Sequence, residues 1–168
     1  MNKTREKIAT ELKILAKSLI AKNIANKAGE YKHFTGRIDW KDVHGDVTNA
    51  DFLLQDHKTE QIKFYSGTWN DGNFIGYWWS GVWKDGTFED GYWAHGTWNN
   101  GTWKDGIHST GTWYNGIWEK GFWEKGSWYD GVWYDGIWKK GTWAGGVWKK
   151  GRDIRYRNHG QNDSPDKW

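Results

Sequence analysis

The chain has no cysteine, one proline and one methionine in 168 residues. Without cysteine there is no disulfide staple and no thiolate metal site, and the redox compartment stays open. No run of about 18 apolar residues occurs, so no transmembrane helix is expected. The N-terminus mixes Lys3, Arg5, Glu6, Lys7, Glu11 and Lys13, which leaves no apolar core for a signal peptide. An excess of charge of one sign is also missing. The net charge is +3, with 12 Lys/Arg against 9 Asp/Glu in residues 1–66, 8 against 9 in 67–151, and 4 against 3 after that. A nearly neutral body argues against a general nucleic-acid binder.

Leu, Ile and Val are scarce and the mean hydropathy is −0.98, an average that by itself reads as disorder. The apolar material is concentrated elsewhere. There are 17 Trp, 8 Tyr and 6 Phe, and each large aromatic buries ~150–250 Å². Such a chain orders itself around rings.

Four regions follow along the chain. Residues 1–29 carry an amphipathic pattern, with Ile8, Leu12, Leu15 and Leu19 at spacings of four, three and four. Gly29 is a natural stop, so a helix over 4–28 is expected, for docking or oligomerisation. No aromatic within it could anchor a membrane surface, so a membrane partner is not expected. Residues 30–66 hold short strand-like runs between Gly36, Gly45 and Asn49, either a small β-cap or degenerate repeats. Residues 67–151 form a repeat array. Residues 152–168 are polar, contain the proline, and read as a loose tail.

The array consists of 17 units of Gly-x-Trp-x-x, with one unit, Gly72 to Ile75, a residue short. The third position is Trp69, Phe74, Trp78, Trp83, Phe88, Trp93, Trp98, Trp103, His108, Trp113, Trp118, Trp123, Trp128, Trp133, Trp138, Trp143 and Trp148. These are the expected core. A fixed period of this kind marks a repeat architecture. A helix is excluded, since glycine at every fifth position costs about 1 kcal/mol each relative to alanine. Thr, Val, Ile, Tyr or Phe precedes the ring in nearly every unit, and these favour strands. Asp-Gly or Asn-Gly closes eight units, and those dipeptides favour turns.

Two architectures satisfy this pattern. In the first, an all-β quadrilateral solenoid, each unit is one side of a square coil and residues twenty apart stack. Phe88, His108, Trp128 and Trp148 would then share one column, and Trp78, Trp98, Trp118 and Trp138 another. Glu119 would lie over Lys139, and Tyr114 beside Tyr134. In the second, an antiparallel β-meander of short hairpins, units five apart pair and Trp113 faces Trp118.

The array resembles pentapeptide-repeat proteins, whose Ala-(Asp/Asn)-Leu/Phe-x-x motif points a small and a large residue inward. Gly81-Val82-Trp83 and its fellows fit if Gly takes the small site and Trp the large one. Gly45 to Asn49 and Ala50-Asp51-Phe52-Leu53-Leu54 resemble copies closer to that pattern. The fragment Gly101-Thr102-Trp103-Lys104-Asp105-Gly106 is similar to MORN-type hairpin repeats. Some pentapeptide-repeat proteins mimic DNA and bind topoisomerases, which implies a strongly acidic face that this array lacks.

No catalytic, cofactor or metal site is expected. Asp85, Asp90, Glu119, Glu124, Asp130 and Asp135 form a regular comb of solvated charge. The six His residues show no paired metal-ligand spacing, and His108 is expected to be a hydrogen-bonded interior histidine. The reading is therefore a non-enzymatic structural protein. A bacteriophage virion component that associates with itself or with other structural proteins comes first. A soluble protein-interaction module of the cytoplasm, or a glycan-binding surface built from Tyr114, Tyr129, Tyr134 and Trp79, are the alternatives.

Overall fold

The structure is a computed structural model that describes residues 31–40, 42–54 and 62–154. The expected helix over 4–28 and the tail beyond residue 154 lie outside the described residues. Those described are all-β, with no helix among them.

Three long strands open the fold: β1 (Tyr31–Trp40), β2 (Val43–Leu54) and β3 (Ile62–Trp78). β1 and β2 pair antiparallel, and β2 pairs antiparallel with β3. The alternation along β2 explains the arrangement, because Val43 and Val47 are buried while His44, Asp46 and Thr48 are exposed. One face of such a strand lies on a core and the other is wet. Ile38, Val43, Val47, Ala50, Phe52, Ile62 and Phe64 form one buried cluster with the first rings of the array. Residues 45–54, which resemble repeat units, thus run in an antiparallel cap over one end.

Beyond the cap the chain is a parallel β-solenoid of about six turns. Most strands shrink to two residues, an outward one and the inward ring, as in Val82–Trp83, Thr112–Trp113 and Ile117–Trp118. Trp118 pairs in parallel with Trp103 on one side and Trp133 on the other, so the coils repeat every fifteen residues. Three units make a coil. The backbone ladder is regular: the N–H of Thr112 donates to Gly96 and that of Tyr114 to Trp98, at 2.9 and 2.8 Å.

The square coil is thereby corrected to a triangular one, and the predicted columns with it. Phe88 and His108 lie in different columns. Lys139 pairs with Glu124, not Glu119, and Tyr114 stacks on Tyr129, not Tyr134. The meander is excluded as well, since Trp113 and Trp118 meet edge to face across the core, 5.9 Å apart at 72°. The physical reason is filling. At equal side length a square encloses roughly twice the area of a triangle yet adds only one side chain, and interiors do not tolerate the void that remains.

The glycines do a different job from the one the motif resemblance implies. Gly121 has φ +124, and a Cβ there would sit 2.5 Å from the carbonyl oxygen of Gly106, one coil below. Each corner thus stacks backbone on backbone, in a conformation that L-residues rarely adopt. The residue before the glycine closes the corner. At Gly106 the backbone N–H donates to the Asp105 carboxylate at 2.8 Å.

Candidate interaction surface

The interior consists of three columns of rings. The first runs Trp69, Trp83, Trp98, Trp113, Trp128, Trp143. The second runs Phe74, Phe88, Trp103, Trp118, Trp133, Trp148. The third runs Phe64, Trp78, Trp93, His108, Trp123, Trp138. Within a column neighbouring indoles are parallel, as for Trp98 and Trp113 at 4.6 Å and 4°. Between columns they meet at right angles, as for Trp118 and Trp123 at 5.8 Å and 74°. Offset stacks and edge-on contacts are the two arrangements that ring quadrupoles favour.

From Trp69 to Trp138 these slots are fully buried, His108 included. Trp143 and Trp148, in the last coil, are half-buried. The third column then ends on Asp153, which pairs with Trp138 in the register. Gly151 to Asp153 is thus a further unit in which a carboxylate replaces the ring. The sequence pattern stopped at Lys150 because it was keyed to Trp; the Gly-x-x spacing was the signal that extended further.

His108 departs from expectation. Neither ring nitrogen meets a hydrogen-bond partner. Burial among indoles pushes its pKa down to about 3, so the ring is neutral and acts as a small flat hydrophobe. The indole N–H groups are mostly orphaned too. Trp118 Nε1 donates to the carbonyl of Asp135 at 3.1 Å. The Nε1 groups of Trp98, Trp103, Trp123 and Trp128 lie beside Gly116, Gly121, Gly141 and Gly146 of the following coil without closing that bond.

Outside, each wall carries files of side chains one coil apart. Before the rings of the first column stand Thr68, Val82, Thr97, Thr112, Ser127 and Thr142. On the second wall the same position holds Asn73, Thr87, Thr102, Ile117, Val132 and Val147. On the third it holds Tyr77, Tyr92, Ile107, Phe122 and Ile137, ending in Arg152. In the position before the ring the three walls are therefore hydroxylated, mixed and apolar, and on the third the residues after the rings add Ser109, Glu124 and Lys139.

Charged side chains pair along the files, fifteen residues apart. Lys104 meets Glu89 at 2.9 Å, Lys120 meets Asp105 at 2.8 Å, and Lys150 meets Asp135 at 2.9 Å. The Ser109 hydroxyl donates to Glu124 at 2.8 Å. That bond, with the nearby Lys139 ammonium, holds the Glu124 carboxyl below its ordinary pKa. Of the comb, Asp85, Asp90, Asp130 and Asp135 accept from corner N–H groups, and Glu124 and Asp135 join the ladders. Among the described residues no three His, Cys, Asp or Glu side chains converge as a metal site.

The exposed aromatics named from sequence are placed unevenly. Tyr114, Tyr129 and Tyr134 are each close to half exposed, as is Trp79. Tyr114 and Tyr129 stack 5.2 Å apart at 15°, so each has one face taken by the other. Stacking on a sugar ring needs a free face.

These features define a parallel β-solenoid with a Trp-rich core and three outward walls of different chemistry. The chain matches no family model, no curated protein and no solved structure. No helix among the described residues is long and apolar enough to cross a membrane.

Proposed function

We propose that the protein is a non-enzymatic structural component of a supramolecular assembly, with a bacteriophage virion as its context. The observation that carries this reading is the division of labour between inside and outside. Each inward ring slot down to Trp148 belongs to a continuous stack. The outward residues that flank those rings stand in straight files with a fixed rise of about 4.8 Å. Such a body is stiff, and the walls it offers are regular enough to be read by a partner protein or a second copy.

A relation to pentapeptide-repeat proteins belongs to the same proposal. The five-residue unit with one large inward side chain speaks for it. Three units per coil, and glycine at a positive-φ corner rather than an inward small site, set this array apart.

Electron microscopy and sedimentation of the purified protein test the assembly reading. Discrete rings, filaments or concentration-dependent oligomers are the expected result. A monomer at every concentration that also fails to join particles assembled in its presence would overturn it.

A further inference from the structure

Among the described tryptophan side chains, Trp79 alone lies outside the ring columns, and it is 47% exposed. An indole in that place leaves in water the apolar surface that every ring slot of the middle coils buries. Its position follows from the ladder. The N–H of Trp79 donates to Phe64 at 2.6 Å and that of Ala94 to Trp78 at 2.7 Å. Tyr65, Trp79 and Ala94 are therefore successive members of one outward file.

Ala94 is only 8% exposed, although the residue after an inward ring points outward. A methyl on an outer wall needs a cover to be so dry. Trp79, one step up the same file, is the large side chain placed to supply it. The indole thus lies against the wall, with one face on Ala94 and the other towards water. Among the described residues, the rings beside it leave that outer face open. Tyr77 is nearly parallel, at 6.0 Å and 19°, so the two rings overlap only at their rims. His95 is steeply inclined to the indole, at 5.6 Å and 68°. Tyr77 stacks in turn on Tyr92 at 5.1 Å, and the Lys63 ammonium lies over the Tyr77 ring at 5.9 Å.

We propose that Trp79, bordered by Tyr77, Tyr92 and His95, is a saccharide-binding platform that takes the C–H face of one pyranose ring. A pyranose matches it because one side of the sugar is a layer of C–H groups while its rim carries hydroxyls. Stacking covers the indole, and the phenol and imidazole groups around it donate to and accept from the hydroxyls. Two other occupants fit less well. A nucleic-acid base would also stack, but its phosphates need a basic groove. On the files 63–77–92, 65–79–94 and 66–80–95, Lys63 is the single Lys or Arg. A stable protein contact buries about 800 Å² per partner, far more than this platform supplies. The site goes beyond the assembly reading and does not depend on it.

Saturation-transfer NMR on the full-length protein tests it, with cellohexaose, chitohexaose and a galacturonate hexamer as probes. At least one should bind, with an affinity in the millimolar range or tighter and transfer strongest at its ring C–H protons. Trp79→Ala should weaken that binding about tenfold, and Trp79→Tyr should restore most of it. His95→Ala keeps the indole and should cost about fivefold, the worth of one hydrogen bond. Tyr114→Ala, on a different wall, should leave binding unchanged. An unaltered Trp emission maximum shows that the variants keep the core, and the transfer pattern of the parent chain stands without them. No binding of any probe, binding indifferent to Trp79→Ala, or equal loss with Tyr114→Ala would each overturn the proposal. So would Trp79-dependent binding of oligodeoxythymidylate with none of the saccharides bound. Trp79-dependent self-association without saccharide binding would overturn it too, and would leave the assembly reading intact.

Discussion

His108 lies flat on Trp123, the ring centroids 3.9 Å apart and the planes 3° from parallel. The imidazole keeps this place only while neutral, because an imidazolium there would be a charge among indoles with no partner. Its pKa is about 3 in the fold, against about 6.5 in an unfolded chain. Between those values the unfolded state binds the extra proton, so folding loses stability as the pH falls. The contribution is intact above pH 6.5 and drains at about 1.4 kcal/mol per pH unit below it. Urea denaturation from pH 7.5 to 4.5 measures the slope. His108→Phe should be less pH-sensitive than the parent by about one proton, and equal slopes would refute the assignment. The rings that respond to this substitution should be Trp93 and Trp123, one coil away on either side.

The corner glycines give a second test. Gly121→Ala should destabilise by about 1–3 kcal/mol from the positive φ alone, with more from the carbonyl of Gly106 beneath it. Gly145 lacks a positive φ, and a Cβ there would meet only the Tyr129 carbonyl at 3.1 Å. Gly145→Ala should therefore cost much less. Thermal melts of the two variants side by side decide it. Equal losses would mean that glycine is kept at the corner for some reason other than its backbone.

Position along the column should grade the cost of removing a ring. Trp118→Ala takes away a fully buried indole with neighbours above, below and edge-on, together with its bond to Asp135, and should cost ~3–5 kcal/mol. Trp148→Ala, in the half-buried last coil, should cost clearly less. Chemical denaturation of both gives the ratio. A larger loss at Trp148 would mean that the end of the solenoid is covered as tightly as its middle.

The unit, its strand-turn character and the inward ring could be read from the spacing of Gly and Trp, because period and strand preference are local properties. The number of units per coil could not. Whether Trp118 sits over Trp103 or over Trp98 depends on how much volume the rings must fill, and that is a sum over the whole cross-section. The same gap hid the ladders, since Lys120 and Asp105 are partners only once fifteen is known to be the register. His108 was legible as interior from its slot, but its lack of a partner was not. That follows from what surrounds it on neighbouring coils, the indoles of Trp93, Trp103, Trp118 and Trp123. Residues 30–66 stay open between a small β-cap and degenerate repeats in the sequence, because the motif resemblance of Ala50 to Leu54 competes with the period-two alternation beside it.

Tyr114 and Tyr129 offer the sharpest measurement of that register. Both lie outside, close to half exposed, with rings stacked at 5.2 Å, and truncation of either should leave the core intact. Stacked aromatic neighbours on adjoining strands are coupled by ~0.2–1 kcal/mol. A double-mutant cycle with Tyr114→Ala and Tyr129→Ala should therefore show a coupling of that size. The same cycle on Tyr114 and Tyr134 serves as the control, because those residues stand on different walls and should be additive. A four-unit coil requires the reverse, with Tyr114 coupled to Tyr134, and a meander requires no coupling at fifteen. Urea titrations of the three single variants and two double variants suffice, and coupling confined to the pair twenty apart would defeat the triangular coil.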